Sequence, residues 1–313
     1  MELQSSRSED KWLTGFFITK QQEGCSPKTI ADYRWTFKHL AQWSAANQRP
    51  SPNELTTGDL RAFLVYLRER VGSKSVRNAW VALRSFYRWY ASETEKPNPS
   101  LVIAAPKFTE RVIRPLTREQ VTAILKVCDY TREARTTHRT AFAMRRRTAL
   151  RDKAITLVLV DAGLRASELC GLLRKDVDLA SGETVVNGKG GKQRIVYLGK
   201  SARRALWRYL KDRNDSNGNE PLFTTDAGAV LSINVLEKLY QRLGERANVP
   251  GLHPHQLRHT FATEFLRNGG NLLALQRALG HSTLEMVRRY AEIVDADLAR
   301  AHETGSPADK WRL

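Results

Sequence analysis

Glu183-Thr-Val-Val-Asn-Gly-Lys-Gly-Gly-Lys-Gln-Arg-Ile-Val-Tyr-Leu198 is where the chain changes from helical to extended patterning. Glu183–Val186 and Arg194–Leu198 are rich in β-branched and aromatic residues. Between them Asn187-Gly-Lys-Gly-Gly191 is a glycine-rich turn. Strand, turn and strand predict a hairpin with Lys189 at its tip. Glycines on both sides of that lysine let the backbone approach another molecule closely. The run lacks the Gly-Lys-Ser/Thr ending of a nucleotide-binding loop. The rest of the sequence reads as helix. The fold class is therefore mainly α with a small antiparallel β-sheet.

Working outward, Arg151–Ala162 is an apolar helix closed by Gly163, and further helices follow Ser201, Ser232, Pro254, Asn271 and Ser282. Thr117-Arg-Glu-Gln120 is a capping box, followed by Val121, Ile124, Leu125 and Cys128 on one face. Thr131–Leu150 sets Arg132, Arg135, Arg139, Arg145, Arg146 and Arg147 against the single acid Glu133. It reads as an exposed loop or a helical extension, with Arg145, Arg146 and Arg147 as candidates for phosphate contact.

The first hundred residues contain only helical patterns. Trp12 and Phe16 mark one helix. Ser26-Pro27 caps a second, with Ile30, Tyr33, Phe37, Leu40 and Trp43 on one face. A third follows Thr57 with Leu60, Phe63, Leu64 and Leu67. A fourth follows Ser73 with Val76, Trp80, Leu83, Tyr87 and Tyr90. The fourth also carries Lys74, Arg77, Arg84 and Arg88, a basic stripe suited to a DNA backbone. Lys96-Pro-Asn-Pro99 ends the bundle. The expected domains are a helical unit over 1–100, a linker over 101–115, and a second unit with a C-terminal tail over 116–313; the resemblance given below makes the first a core-binding DNA clamp and the second catalytic.

The chain of 313 residues has a formal net charge of +18. Such an excess repels itself unless a polyanion is near, which points to nucleic acid. An apolar fraction of 41% is enough for a packed core. No apolar run approaches the length of a membrane span. The polar start Met1–Lys11 lacks the apolar segment of a secretory signal, so the expected location is cytoplasmic. Cys25, Cys128 and Cys170 show neither a metal-ligand spacing nor a disulfide framework.

Five separated pieces then assemble one chemistry: Arg165, Lys189, His255-Gln-Leu-Arg258, Leu-Gly-His281 and Tyr290. Arginines suit phosphate oxygens because the planar guanidinium offers paired donors. A lysine can protonate a leaving oxygen, histidines can move protons, and a tyrosine can attack phosphorus. His255, Arg258 and His259 at i, i+3 and i+4 share one helical face. A metal pair at His255 and His259 lacks the glutamate of a zinc-protease helix. His259 and His253 read as structural histidines. Glu168, one turn after Arg165, is placed to hold it. Arg288 and Arg289 flank Tyr290.

The pieces Gly-Leu-Arg165-Ala-Ser-Glu-Leu, Gly-Lys189-Gly-Gly-Lys, His255-Gln-Leu-Arg258-His, Leu-Gly-His281-Ser and Tyr290, with Ser26-Pro-Lys-Thr-Ile30 near the start, resemble the tyrosine recombinases. This is the phage-integrase family, and the likeness is to its short Xer-like members. The resemblance implies an N-terminal core-binding, SAM-like helical domain and a catalytic domain. It implies that Tyr290 attacks the scissile phosphate to give a 3′-phosphotyrosyl link. Arg165 and Arg258 would bind the non-bridging oxygens, and Lys189 would act as general acid toward the 5′-oxygen. His255 would assist proton transfer from the tyrosine, and His281 would hydrogen-bond the phosphate.

No cofactor, metal or ATP is implied. The partners implied are a double-stranded DNA core site with inverted repeats, three further copies of the chain in a homotetramer, and possible accessory DNA-binding proteins. The role implied is integration or excision of a mobile element, or multimer resolution. Alternatives are a type IB topoisomerase-like enzyme and a non-catalytic DNA-binding regulator on the same fold. The chain departs from Xer-like proteins in its longer Thr131–Leu150 stretch and in the tail ending Ser306-Pro-Ala-Asp-Lys-Trp-Arg-Leu313. That tail is expected to dock on a neighbouring protomer.

Overall fold

A computed structural model describes residues 5–107, 114–131, 134–136, 139–188, 191–213, 217–281, 283–294 and 306. The chain forms two compact units, Met1–Arg111 and Val112–Leu313.

The first unit is a bundle of α1 (Ser5–Gln22), α2 (Pro27–Ala46), α3 (Thr57–Arg68) and α4 (Ser73–Thr94). Its helix starts follow local chemistry. Ser26 Oγ accepts from the Thr29 amide at 3.1 Å. Thr56 and Asp59 form a reciprocal capping box at the head of α3. The apolar faces meet in a core of Phe16, Phe37, Leu40, Trp43, Leu60, Phe63, Leu83, Phe86 and Tyr87. Beyond α4 the chain folds back on the bundle. Ile103 is buried in this core, and Trp80 Nε1 donates to the Ile103 carbonyl at 3.0 Å.

The second unit runs α5 (Arg118–Val127), β1 (Ala134–Thr136), β2 (Arg139–Phe142), α6 (Ala149–Ala162), α7 (Ala166–Cys170), β3 (Glu183–Asn187), β4 (Gln193–Tyr197), α8 (Lys200–Arg213), α9 (Ile233–Arg246), α10 (Pro254–Arg267), α11 (Leu272–Leu279) and α12 (Glu285–Val294). β3 and β4 pair antiparallel from Glu183 opposite Tyr197 to Asn187 opposite Gln193, which is the predicted hairpin. The Thr131–Leu150 stretch is neither loop nor helical extension. It contains a second antiparallel pair, β1 with β2. The fold is thus mainly α with small antiparallel sheets.

α6 is the centre of this unit. Ala154, Ile155, Val158, Leu159 and Ala162 are buried, and α8 and α10 pack on it. At its start Asp152 is fully buried and paired with Arg146 at 2.7 Å and Arg151 at 2.9 Å. A buried carboxylate needs such partners. All three cysteines are free. The last helix begins at Glu285, and the Ser282 cap expected for it lies outside the described residues. So does the tail, apart from Ser306, which is buried.

Candidate active site

α6 stops at Gly163, which adopts φ +61°. A Cβ there would lie 2.2 Å from Phe261 Cδ1, so close packing and backbone conformation both require glycine. The turn buries Leu164 and leaves Arg165 as the N-cap of α7. Glu168 then folds back. Its carboxylate accepts from the Arg165 amide at 2.8 Å and from the Arg165 guanidinium at 2.7 Å. Arg194, on β4, reaches the same carboxylate through both terminal nitrogens, each at 2.8 Å. Its Nε donates to the Ala278 carbonyl at 2.7 Å, just ahead of Gly280-His281. Arg258 Nη1 lies 3.9 Å from the same carboxylate.

One carboxylate therefore organises three guanidinium groups. Burial pushes the Glu168 carboxyl up. The hydrogen bonds and charges of Arg194 and Arg165 outweigh that and hold it down at about 2.

Arg258 is 1% exposed. It donates to the Gly163 carbonyl at 2.6 Å and to the Leu279 carbonyl at 2.7 Å. Its Nη2 lies 2.9 Å from His281 Nε2. Burial and the positive charges of Arg165 and Arg194 lower its pKa to about 10, so it remains charged at neutral pH. Gly280 closes α11 in the left-handed region at φ +61° and turns His281 toward this arginine.

Tyr290 reaches the centre from α12. Its ring is 1% exposed, packed with Phe261, Ala262, Leu275, Leu279 and Val287. Its hydroxyl lies 2.6 Å from His259 Nδ1. His255 is exposed one turn earlier on α10, and its ring centroid lies 4.4 Å from that of His259. His253 is the N-cap of α10, and its Nδ1 accepts from the Gln256 amide at 3.2 Å.

The structure thus brings together Arg165, Arg258 and His281, and joins Tyr290 of α12 to α10, the helix of Arg258, through His259. Lys189 lies outside the described residues. Two participants were not identified from the sequence. Arg194 ties the hairpin to Glu168, and His259, read there as merely structural, touches the tyrosine hydroxyl.

The candidates for DNA contact divide. Lys74 and Arg88 are exposed on α4. Arg77 donates to the Pro106 carbonyl at 3.3 Å, and Arg84 lies over the Trp80 ring at 5.0 Å. Arg145 and Arg147 are exposed, whereas Arg146 turns inward to Asp152 and the Cys128 carbonyl.

Fixed arginines, a histidine and a tyrosine thus meet in one place, and guanidinium groups held this way are suited to binding a phosphate. The phage integrase family matches residues 114–296, and the phage integrase N-terminal SAM-like domain matches residues 12–96. The chain belongs to the phage integrase family, the tyrosine recombinases, enzymes of site-specific DNA recombination.

It is similar to tyrosine recombinase XerC of Pelobacter propionicus, 33% identical over 290 residues, which are 91% of each chain. It is similar to tyrosine recombinase XerA of Thermococcus kodakarensis, 33% identical over 293 residues, 92% of this chain and 93% of that one. The fold is shared with the XerH site-specific recombinase, solved bound to a palindromic difH substrate as a post-cleavage complex. The TM-score is 0.69 at 21% identity, over 93% of this chain and 82% of that one. These likenesses favour neither a topoisomerase nor a non-catalytic regulator.

Proposed function

We propose that this recombinase cuts and rejoins duplex DNA at a core site of two inverted repeats, with Tyr290 as nucleophile. The observation that carries the reading is the shared anchoring of Arg165 and Arg258 around Glu168, beside the helix that holds Tyr290. Two guanidinium groups fixed before substrate arrives can bind the non-bridging oxygens and stabilise the charge that grows on them during attack. Arg258 cannot drift, because two backbone carbonyls hold it.

In the proposed step the Tyr290 oxygen bonds to phosphorus and the bond from phosphorus to the 5′-oxygen breaks. Lys189 protonates the departing oxygen, His255 assists removal of the phenolic proton, and His281 hydrogen-bonds the phosphate. The covalent 3′-phosphotyrosyl link keeps the bond energy, so rejoining needs no ATP. Lys74, Arg77, Arg84, Arg88, Arg145 and Arg147 are the candidates for backbone contact, with Arg146 supporting the last two from inside.

Each inverted repeat takes one protomer, and two synapsed sites take a homotetramer. The palindromic substrate named for the XerH complex supports the inverted-repeat reading. The reaction takes place in the cytoplasm, where the protein joins the nucleoid when bound to DNA. No helix among the described residues is long and apolar enough to cross a membrane. Its role is integration or excision of a mobile element, or multimer resolution.

The test is to incubate the chain with DNA flanking its own gene and sequence the ends that become protein-linked. Protein on 3′ ends, free 5′-hydroxyls and paired cuts across a short spacer between inverted repeats are expected. Protein on 5′ ends overturns the reading.

A further inference from the structure

We propose that His259 is a further catalytic residue, the group that takes the Tyr290 proton as the oxygen attacks phosphorus. The inference rests on Tyr290 being the nucleophile. Three observations carry it. The first is contact, with Nδ1 lying 2.6 Å from the tyrosine hydroxyl, a short hydrogen bond to the very atom that must react. The second is burial. His259 is 8% exposed and Tyr290 1% exposed, so bulk water does not surround the proton to be removed. A phenol keeps its proton at neutral pH, so attack needs a base already in place.

The third is arrangement. Arg258 and His259 are consecutive on α10, one held toward Gly163 and Leu279 and the other toward α12. A phosphate bound by Arg258 is thereby offered to a tyrosine held by its neighbour. The other charged groups about this centre are Arg165 and Glu168 of the α6–α7 turn and Arg194 of β4. Together with Arg258 they leave this centre positive on balance. His255, exposed and 4.4 Å away ring to ring, is the next stop. The inner histidine takes the proton, and the outer one passes it on.

The O–H bond of Tyr290 breaks and its proton goes to His259 Nδ1. An oxygen electron pair forms the bond to phosphorus. The bond to the 5′-oxygen breaks, and that oxygen takes its proton from the general acid, assigned here to Lys189. On rejoining, the 5′-hydroxyl gives its proton back to that general acid as its oxygen attacks phosphorus, the bond from phosphorus to Tyr290 breaks, and His259 returns the proton to the leaving phenolate.

The experiment is single-turnover formation of the covalent complex on a nicked substrate. His259→Asn keeps an oxygen acceptor near the place of Nδ1 but cannot carry a proton. It should bind DNA as the unaltered chain does and form the complex roughly 10²–10⁴-fold more slowly, the usual worth of a general base. Ring-fluorinated tyrosine at position 290, a more acidic phenol, should then restore most of the rate. Cleavage at the unaltered rate overturns the proposal. So does a slow rate that fluorination leaves unchanged, since a merely structural histidine has no link to phenol acidity.

If the asparagine variant gives no native melting transition, His259→Ala is assayed with added imidazoles. Rates rising with the basicity of the imidazole support the base role, and equal rates with all of them refute it. Failure of the underlying reading is separate, because Tyr290→Phe would then still form the complex.

Discussion

Glu168→Gln removes one negative charge from among Arg165, Arg194 and Arg258 while keeping the side chain's shape. Glu168 is 6% exposed, and its carboxyl sits at about 2 instead of the ordinary 4.5. At about 1.4 kcal/mol per pH unit, that lowering means the folded protein favours the carboxylate over the acid by roughly 3 kcal/mol more than the unfolded chain does. Losing one partner of a buried ion pair costs about 3–5 kcal/mol by general experience, so the two routes agree. The expected loss is about 3 kcal/mol from the catalytic unit.

The sign with pH follows from the lowered value. The stabilisation is complete above pH 4.5 and is lost as pH falls toward 2. Calorimetry on the full chain at pH 7 and near pH 3 reads both effects, with the unit Met1–Arg111 as internal reference. Adding Arg194→Met should cost less in the Glu168→Gln background than in the unaltered chain, because one unpaired cation is removed. A loss below about 1 kcal/mol at pH 7, or a difference undiminished at pH 3, would refute Glu168 as the organising charge.

Gly163→Ala places a methyl group 2.2 Å from Phe261 at φ +61° and displaces the carbonyl that Arg258 holds. It should cost about 1–3 kcal/mol in a thermal melt and slow cleavage as well. Lys189→Ala should cleave ordinary DNA slowly and recover much of its rate on DNA with sulfur at the 5′-bridging position, because a thiolate leaves without a proton. Absence of that recovery removes Lys189 from the acid role. Deleting residues 303–313 should leave single-site DNA binding nearly intact and abolish strand exchange between two sites, scored by gel shift and by a two-site recombination assay.

Much of the fold was legible because its signals are local. Ser26, Thr56 with Asp59, and Thr117 with Gln120 cap helices within three residues of themselves. The β3–β4 hairpin showed in its β-branched runs. β1 and β2 did not, because arginines and threonines hide any apolar alternation there. The site followed the same rule. Arg165, Arg258 and His281 stand in short motifs whose types state their chemistry.

Arg194 was missed because its meaning comes from pairing register, which turns it inward beside Val196 while Gln193, Ile195 and Tyr197 face out. An arginine at an inward strand position was the available signal. The sequence points to a buried His259, as the structure has it, but burial alone does not reveal that its ring faces Tyr290. Prolines at 97 and 99 marked the end of the bundle, yet nothing local announced that Ile103 returns to its core.

The central claim is that Tyr290 is the atom donor of the covalent link. It is tested most directly by trapping on a nicked core-site substrate, read as a protein–DNA band on a denaturing gel. Tyr290→Phe keeps the ring that packs against Phe261 and Leu279 and loses only the attacking oxygen. The variant should bind DNA normally and give no covalent band, beside a strong band for the unaltered chain. A covalent band of equal strength from Tyr290→Phe would contradict it and place the nucleophile elsewhere.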